Sequence, residues 1–385
     1  MAFGVYIHIP YCVKKCPYCD FNSWGINGGF PESEYTESVL GELEFYRGEI
    51  EGRGLTSVFF GGGTPSLFDP RNIGRLISKI YEMTVPHRDI EVSLEVNPRT
   101  ADLGKLKGLR DAGVNRISVG VQSFSQRKLD YLGRINSPED GRRILDEVRS
   151  AGFENYNFDL MYGTGGETLD EWRRDLEEAV RFGSAHISAY CLTIEHGTEF
   201  GRLFKKGKLI LPGEDTLSDF ISYTTGFLGG AGYGQYEISN YARPGFECRH
   251  NLLYWKGESY LGVGAGAHSH LKSTGESPWG LRWANVKPPT AYMKAVGGGK
   301  RPVDFSERLT REEALEDSII MGFRLNEGLD MRGLKDNYGV APDPVRIDSL
   351  REDGFVEVSG NTVRLTKKGT LLSDEIIVRL VSSLG

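Results

Sequence analysis

The sequence has few cysteines, no long apolar segment and no excess of positive charge. Cysteine accounts for 5 of the 385 residues, and no run approaches the roughly 18 consecutive apolar residues of a membrane-spanning helix. The formal net charge of -7 gives the chain no general attraction for nucleic acid. The first twelve residues lack the basic and apolar regions of a secretory signal peptide. We therefore expect a cytoplasmic protein with no transmembrane segment that binds no nucleic acid, and contact with a membrane surface stays open.

Glycine, by contrast, is abundant, with 50 residues, roughly twice the usual share of about 7%. The first half of the chain alternates short β-rich segments with longer amphipathic ones, a pattern typical of βα units around a parallel sheet. The predicted strands are residues 5–9, 57–60, 91–96, 116–120, 155–160 and 187–192. The predicted helices are residues 33–50, 70–83, 102–112, 138–151 and 169–182.

Chemically distinctive residues lie at the end of each predicted strand. They are the cysteine loop after the first strand and then, strand by strand, the glycines 61–63 with Thr64, Glu95 and Asn97, Gln122, Asp159, and Tyr190 with Thr193. In both open and barrel-like α/β sheets, ligand sites form at the carboxyl ends of the parallel strands. The sequence therefore predicts one shared site on this face of the sheet.

The alternation stops near residue 205. Residues 213–300 contain a predicted helix at 215–228, and then a glycine- and aromatic-rich segment that we expect to form strands and loops beside the first domain. The glycine-rich stretch 296–300 is the best candidate for a linker. The predicted domains are 1–212, 213–300 and 301–385.

The last 85 residues resemble a winged-helix module. They predict two strands around Gly360, preceded by helices at 310–323, 331–338 and 343–352. Such a module suggests DNA binding, but acidic residues such as Glu312 and Glu313 accompany its basic ones. A convincing phosphate-binding face is therefore missing.

The strongest chemical motif is a group of three cysteines, Cys12, Cys16 and Cys19. Soft thiolate ligands select iron-sulfur clusters or zinc over hard cations. A structural zinc site needs a fourth ligand, for which Asp20 and His8 are the candidates. Three cysteines without a fourth suit a 4Fe–4S cluster whose last iron is open to a small molecule, and this is the interpretation that we favour.

This motif resembles the three-cysteine loop of the radical S-adenosylmethionine (SAM) superfamily, in which the loop follows the first strand of a partial barrel. The segments YIHIPYC, FFGGGTPSLF, SLEVNPRT, RISVGVQSF and NFDLMYG are similar to the oxygen-independent coproporphyrinogen oxidase group. The resemblance covers most of the chain. It implies an α/β fold, a partial (β/α)6 TIM-like barrel, with an added sheet and loop region and a C-terminal winged-helix-like α+β domain.

The resemblance also implies that SAM chelates the open iron, and that one-electron reduction breaks a C–S bond of SAM to release a 5′-deoxyadenosyl radical. Glycines lack a Cβ and let backbone groups approach such a ligand closely. The residues that the resemblance places against SAM are Tyr6, Gly62, Gly63, Thr64, Glu95, Gln122, Arg134 and Asp159. For the polar ones among them, a structural hydrogen bond at a strand end is the alternative role.

Two kinds of protein share this pattern: coproporphyrinogen oxidases and haem-binding chaperones of the HemW type. The oxidases carry a fourth cysteine where this chain has Phe21, and a longer extension before the first strand. Residues 250–255, HNLLYW, match the HNxxYW motif of the chaperones. We expect a haem chaperone that holds a 4Fe–4S cluster and SAM, with coproporphyrinogen III oxidase as the first alternative and an interaction protein with a vestigial cluster site as the second.

The motif match makes His250 the predicted haem ligand, because an imidazole can bind haem iron axially. His268, His270 and Cys248 are rival ligands, and the chain has no C-x-x-C-H site for covalent attachment. A chaperone of this kind implies two partners, a haem-accepting protein and an electron donor.

One segment departs from the family pattern. Where the family has a Leu-Pro pair after the position of Asp159, this chain has Thr164 and Gly165 within the segment YGTGGET. The absence of proline removes a fixed φ angle, so we expect a looser loop here.

Overall fold

The computed structural model describes residues 2–26 and 28–382. Residue 1 and residues 383–385, at the ends of the first and third predicted domains, lie outside the described residues. The strands are β1 (Phe3–Ile9), β2 (Tyr11–Cys12), β3 (Trp24–Gly25), β4 (Gly54–Gly62), β5 (Val85–Val96), β6 (Arg116–Gln122), β7 (Asn155–Tyr162), β8 (His186–Cys191), β9 (Gly234–Gln235), β10 (Asn240–Ala242), β11 (Ser259–Val263), β12 (His268–Leu271), β13 (Leu281–Asn285), β14 (Val303–Arg308), β15 (Leu329–Asp330), β16 (Val356–Ser359) and β17 (Thr362–Leu365).

The helices alternate with the first strands and dominate the C-terminal part. They are α1 (Glu32–Phe45), α2 (Arg47–Ile50), α3 (Pro70–Met83), α4 (Leu103–Asp111), α5 (Gln126–Tyr131), α6 (Pro138–Ser150), α7 (Leu169–Phe182), α8 (Glu199–Lys205), α9 (Glu214–Gly230), α10 (Arg249–Trp255), α11 (Pro289–Gly297), α12 (Arg311–Gly322), α13 (Met331–Tyr338), α14 (Pro344–Glu352), α15 (Lys367–Thr370) and α16 (Ser373–Val381).

Six parallel strands form the centre of one large sheet, in the order β1-β4-β5-β6-β7-β8. These are the six strands predicted from the sequence, and helices connect them as expected for a parallel sheet. Six of the seven residues of β1 are buried, as in a sheet covered on both faces. Strands β1 and β8 pair with other neighbours instead of with each other, so the barrel is partial and open. The predicted fold class is confirmed.

The predicted helices are present, but the first is divided at Tyr46. This residue leaves helical geometry between α1 and α2, with φ -107° and ψ 11°. Its buried ring stacks on Trp283 at a centroid distance of 5.4 Å and lies beneath the Arg301 guanidinium. The helix therefore breaks where a tertiary contact holds the ring, which the local periodicity does not show.

The region 213–300 does not lie beside the sheet but extends it. Strand β11 pairs in parallel with β1, and β12, β13 and β14 continue the sheet antiparallel beyond it. At the other edge β10 and β9 follow β8. The sheet has twelve strands, and its outermost strand, β14, lies after the glycine-rich stretch 296–300. That stretch thus connects a helix and a strand of the large sheet.

The C-terminal residues from about 311 onward have an apolar core of their own, built around residues such as Ile319, Leu350 and Leu380. A three-stranded sheet, β15-β17-β16, accompanies the helices, and its β16–β17 hairpin confirms the two strands predicted around Gly360. The unit is joined to the large sheet by an ion pair between Arg282 and Asp317. Among the helices that the structure describes, none combines the length and apolar character that crossing a bilayer requires.

Candidate functional site

The carboxyl ends of the parallel strands surround a cavity of about 340 Å³, here called the cluster cavity, within the size range of small-molecule sites. It contains the three cysteines of the motif and seven of the eight predicted SAM residues. These wall residues are Cys12, Cys16, Cys19, Gly62, Gly63, Thr64, Glu95, Gln122, Arg134 and Asp159. The prediction that one face of the sheet collects these residues agrees with this geometry.

Backbone hydrogen bonds within residues 12–26 hold the cysteine loop in shape. The short parallel pairing of β2 with β3 brings the Ile26 amide 2.8 Å from the Cys12 carbonyl, and the Cys19 amide donates to the Cys16 carbonyl at 3.2 Å. Burial raises the pKa of the Cys12 and Cys19 thiols. To bind a metal, these thiols must lose their protons. A positive group in the cavity is therefore needed to offset the cost of burying the thiolate charge.

Two donors reach the cysteine sulfurs. The Thr64 hydroxyl lies 3.5 Å from Cys12 Sγ, and the Arg134 guanidinium lies 3.7 Å from Cys16 Sγ. Hydrogen bonds to ligand sulfurs are a means by which proteins tune iron-sulfur clusters. Three thiols with donors around one cavity fit a 4Fe–4S cluster.

Arg134 also has a structural role, which was the alternative for this residue. Its Nη2 donates to the Gly120 carbonyl at 2.7 Å, and its Nε donates to Asn136 Oδ1 at 3.2 Å. These bonds tie the segment after α5 to the end of β6. They leave Nη1 directed at the Cys16 sulfur, so the side chain is held in place by two bonds and points the third nitrogen into the cavity.

The glycines after β4 are required first of all by the packing of the chain on itself. Gly62 has φ +109°, and a Cβ built on it would lie 2.4 Å from the His8 ring. A Cβ on Gly63 would lie 2.6 Å from the Tyr11 carbonyl oxygen. The absence of side chains lets the cysteine loop lie directly against this strand end, and this close approach sets the position of the cysteines.

Glu95 and Asp159 are two of the four described acidic residues that line the cluster cavity. Glu95 Oε2 accepts a hydrogen bond from the Gly62 amide at 3.2 Å, and Asp159 Oδ1 accepts one from Asn157 Nδ2 at 2.8 Å. Burial, and then the charge of Asp159, raise the pKa of Glu95 to about 8, and burial raises the pKa of Asp159. A cationic ligand bound between Glu95 and Asp159 would lower the pKa of both carboxyl groups, because a nearby opposite charge favours the ionised form.

Gln122 is held in a left-handed conformation, with φ +68°, unlike every other non-glycine residue that the structure describes. The pairing register of β6 with β7 shifts between Val119 and Gln122, which is the signature of a bulge. Such a conformation costs about 1 kcal/mol or more and persists where the surroundings impose it. The bulge places Gln122, the last residue of β6, in the wall of the cluster cavity.

Tyr6 is the predicted SAM residue that the structure does not place in the cluster cavity. Its hydroxyl donates to His8 Nδ1 at 3.0 Å, and His8 Nε2 donates to the Asn22 carbonyl at 2.8 Å. Both ring nitrogens of His8 are engaged in this arrangement, so the histidine offers no nitrogen for the zinc site considered as an alternative.

The segment that lacks the Leu-Pro pair is firmly tied. The Thr164 amide and hydroxyl both donate to Glu167 Oε2, at 2.9 and 3.0 Å. The other oxygen of Glu167 accepts from Lys128 at 2.5 Å, in a buried cluster that includes Asp175. The expected looser loop is therefore wrong, because these polar contacts replace the constraint of proline.

A second and larger cavity of about 1230 Å³, here called the interdomain cavity, lies between the large sheet and helices α12 and α13. Its wall includes Tyr6 and His8, the aromatic residues Tyr254 and Trp255, and five residues that it shares with the cluster cavity. The shared residues are Lys15, Asp20, Phe21, Gly62 and Glu95. Phe21 is 59% exposed and borders both cavities.

His250 does not line either cavity. The segment around it, predicted as strands and loops, contains helix α10, whose first amides are capped from a distance by Glu91: its carboxylate accepts from the amides of Arg249 and His250 at 3.1 and 3.3 Å. Because Glu91 lies on β5, far from α10 in the sequence, no local sequence pattern predicts this helix cap. The His250 ring is 0% exposed, with Nδ1 2.8 Å from Ser57 Oγ and Nε2 2.8 Å from the Tyr254 hydroxyl. Burial lowers its pKa to about 3, so the ring is neutral.

Sequence reasoning missed the residues that position the carboxyl groups. Asn157 donates to both Asp159 and Ser118, and its Oδ1 lies 2.7 Å from His186 Nδ1. It also missed that Cys191, at the end of β8, borders the cluster cavity. Strands β6, β7 and β8 have polar residues at every second position. Because side chains alternate along a strand, this pattern could have predicted which polar groups face inward.

Comparison with known proteins agrees with this architecture. The family model of the radical SAM superfamily matches residues 6–179, and that of the HemN C-terminal domain matches residues 309–372. The chain is 35% identical to the heme chaperone HemW of Mycobacterium tuberculosis over 381 residues, which cover 98% of this chain and 95% of that protein. It is 34% identical to heme chaperone HemW of Escherichia coli over 376 residues, 97% of each chain.

A solved structure shows the same fold over nearly the full length. The coproporphyrinogen III oxidase HemN of Escherichia coli, a radical SAM enzyme, aligns with a TM-score of 0.82 and 25% identity, covering 99% of this chain and 90% of that one. The radical SAM domain implies a 4Fe–4S cluster and SAM, for which the cluster cavity supplies cysteines, donors and carboxyl groups in one place.

Proposed function

The chain belongs to the HemW family within the radical SAM superfamily, and on that premise we propose that it is a haem chaperone that binds haem and transfers it to an acceptor protein. The observation that carries the proposal is the similarity to heme chaperones over almost the whole chain, at 34–36% identity. The interdomain cavity supports it, since about 1230 Å³ exceeds the usual 300–1000 Å³ of small-ligand sites and suits a macrocycle.

In this proposal the cluster is held by Cys12, Cys16 and Cys19, which face one cavity. The cluster and SAM supply radical chemistry when bound. SAM contacts the wall residues of the cluster cavity, where the Glu95 and Asp159 carboxyl groups suit a ligand that carries positive charge. Tyr6, which lies in the wall of the interdomain cavity, acts on this site through its neighbours Gly61 and His8.

The HNxxYW motif predicts His250 as the haem ligand. In the present geometry its ring nitrogens are engaged by Ser57 and Tyr254, so direct ligation requires the loss of one of these hydrogen bonds. The same motif also supplies Tyr254 and Trp255, which do border the interdomain cavity and offer aromatic surface to a bound macrocycle.

Two partners follow from the proposal. A haem-accepting protein receives the haem, and an electron donor is required if the cluster is to be reduced. The surface beside the cysteine loop presents Val13, Phe21 and Trp24, whose side chains are 44%, 59% and 47% exposed. An electron donor that reaches the cluster from outside contacts this surface.

The alternative, a coproporphyrinogen III oxidase, is favoured by the structural similarity to HemN. Position 21 argues against it, because Phe21 cannot supply the fourth thiol of the oxidase pattern. The two functions share the cofactors and differ in whether a tetrapyrrole is held or changed.

The experiment uses protein that has been reconstituted anaerobically with iron and sulfide. We expect haemin to titrate to a saturable Soret band with one equivalent bound, and we expect no conversion of coproporphyrinogen III when SAM and a reductant are present. Turnover to protoporphyrinogen together with no saturable haemin binding would overturn the proposal in favour of the oxidase. A variant with Cys12, Cys16 and Cys19 all replaced by alanine keeps no thiol in the loop, and it is the control that separates haemin binding in the interdomain cavity from binding of haemin iron to the cysteine loop.

A further inference from the structure

We propose that haem binds in the interdomain cavity with His268 as its axial ligand, and that His250 is a positioning residue for Tyr254 in the cavity wall. The proposal rests on the haem-binding function proposed above and names the residue that would perform it. It is argued from side chains that strands β11 and β12 and helices α10, α12 and α13 contribute to the wall of this cavity.

The hydrogen bonds and positions of the seven histidines narrow the choice of an axial ligand for haem. His8, His186 and His250 each have both ring nitrogens within hydrogen-bonding distance of a partner. His87 and His196 border neither cavity. The histidines that remain are His268 and His270, both on β12 and both in the wall of the interdomain cavity.

Of these two, His268 is the freer. Its side chain is exposed to the cavity, and its ring forms no hydrogen bond or ion pair with any residue that the structure describes. His270 Nδ1 lies 3.3 Å from the Glu258 carbonyl, which ties this ring to the residue before β11, whereas no hydrogen bond to a described residue fixes the ring of His268. Axial ligation needs one unhindered ring nitrogen. His268 meets this requirement without the loss of an existing bond.

The surroundings of His268 suit the carboxylates of haem propionates. Lys287 borders the same cavity and makes no ion pair with a described residue. Three other cations of the wall form ion pairs: Lys272 with Glu258 at 3.0 Å, Arg282 with Glu307 at 2.6 Å, and Lys256 with Glu327 at 2.9 Å. Lys15 makes no ion pair with a described residue, but its Nζ donates to the Phe21 carbonyl at 2.8 Å. Among these five cations, Lys287 alone has neither an ion pair nor a side-chain hydrogen bond with a described residue. A propionate could bind there, which would fix one end of the macrocycle.

Other parts of the wall of the interdomain cavity are apolar and aromatic. Tyr260 comes from β11, and Trp279 stacks on Tyr338 of α13 at a centroid distance of 6.0 Å. Aromatic rings of this kind cover the faces of planar ligands. Leu329 and Met321 come from the C-terminal unit. The macrocycle is therefore enclosed by both parts of the chain.

His250 acts on this cavity through Tyr254. The bond from His250 Nε2 to the Tyr254 hydroxyl, 2.8 Å long, and the bond from Nδ1 to Ser57, also 2.8 Å, hold the imidazole between strand β4 and the tyrosine. Tyr254 lies edge-on to Tyr260, at a centroid distance of 4.6 Å, in the cavity wall. Loss of His250 would therefore weaken haem binding without removing an iron ligand.

The test compares His268→Ala, His250→Ala and His270→Ala with His196→Ala, an exposed histidine outside both cavities. Each protein is reconstituted anaerobically, checked for cluster content, and titrated with haemin. The ferrous forms are then examined by resonance Raman spectroscopy for the iron–imidazole stretch, a signature that a merely structural residue does not change.

We expect His268→Ala to lose the iron–imidazole band and to bind haemin at least about tenfold more weakly, which corresponds to roughly 1.4 kcal/mol. Added imidazole should restore the band. His250→Ala should retain the band with weaker binding, and His196→Ala should match the wild type. Retention of the band in His268→Ala, or its loss in His250→Ala or His270→Ala instead, would overturn the inference. If the wild-type protein itself binds no haemin, both the proposed function and this assignment fail, and this outcome differs from haemin binding with an unchanged band in His268→Ala.

Discussion

Arg134 Nη1 lies 3.7 Å from the Sγ of Cys16, so that a guanidinium faces the sulfur of a cysteine predicted to bind the cluster. The other guanidinium nitrogens are fixed by the Gly120 carbonyl and by Asn136, which leaves Nη1 no freedom to turn away. A positive charge and a hydrogen bond at this sulfur stabilise the reduced cluster, because they oppose its extra negative charge.

Arg134→Gln should therefore make the reduction potential of the cluster more negative. The measurement is a redox titration of the reconstituted protein, followed by electron paramagnetic resonance. Arg127→Gln is the matched control, since Arg127 pairs with Glu171 on the surface and does not border the cluster cavity. Equal potentials in the wild type and Arg134→Gln would show that the guanidinium does not act on the cluster.

Replacing any one of Cys12, Cys16 and Cys19 with alanine should abolish the cluster absorption after anaerobic reconstitution. Cys191→Ala is the stringent control because Cys191 borders the same cavity and is not a predicted ligand. Burial raises the pKa of its thiol to about 11, which disfavours the thiolate required of a ligand. A Cys12→Ala protein that keeps its iron while becoming dependent on Cys191 would refute the assignment.

Glu95→Ala and Asp159→Ala should each weaken SAM binding by about 1–3 kcal/mol, the cost of leaving a buried polar partner without its bond. Calorimetry with SAM on the cluster-loaded protein measures the effect. Glu195→Ala, from the more exposed loop at the rim of the same cavity, should change the affinity less. Unchanged affinity in both carboxylate variants, at normal cluster content, would limit these residues to a structural role.

Glu42 predicts a pH dependence of stability. It is fully buried and accepts bonds from the Gly264 amide, Asn285 and Tyr292, and burial raises its pKa to about 7. Between pH 4.5 and 7 the unfolded chain releases this proton while the folded protein keeps it. Stability that is present below pH 4.5 is therefore lost as the pH rises towards 7, by on the order of 3 kcal/mol.

The measurement is the melting temperature of wild type and Glu42→Gln between pH 5 and 8. The difference between the two proteins should shift in favour of Glu42→Gln as the pH rises. Glu51→Gln, at an exposed site, is the control and should follow the wild type. A difference that stays constant across the range would mean that Glu42 is ionised throughout.

Gln122→Gly should raise the melting temperature, because glycine adopts φ +68° without the roughly 1 kcal/mol penalty of a left-handed conformation. SAM binding should weaken at the same time, since the side chain borders the cluster cavity. Gln126→Gly, within helix α5, should lower the melting temperature instead. A destabilised Gln122→Gly protein with normal SAM affinity would contradict both parts.

The parallel centre of the fold was predictable because each strand and helix there is encoded by local periodicity. Thr168 and Glu171, for example, form the capping box that starts α7 at the predicted residue. The extension of the sheet was not predictable in this way. Phe3 of β1 pairs with Ser259 of β11, and nothing in either short segment identifies its distant partner.

The candidate site was predictable to the extent that its residues follow strands. Glu95 and Asp159 do so, and they face one cavity. The interdomain cavity was not, because its walls come from β12, α10 and α13, which meet through tertiary packing. The burial of His250 follows from that packing too, since Ser57 and Tyr254 occupy its nitrogens.

Transfer of haem from the chain to an acceptor can be measured with a recipient whose spectrum changes as it fills. Haem-loaded, cluster-containing protein is mixed with an apo haem protein such as apomyoglobin, and the spectrum of the recipient is followed, with haemin-loaded albumin as the comparison donor. We predict that the recipient fills with haem faster than from albumin while the porphyrin stays chemically unchanged. No transfer beyond the albumin rate, together with conversion of coproporphyrinogen III by the same preparation, would show that the chain is an oxidase and not a haem chaperone.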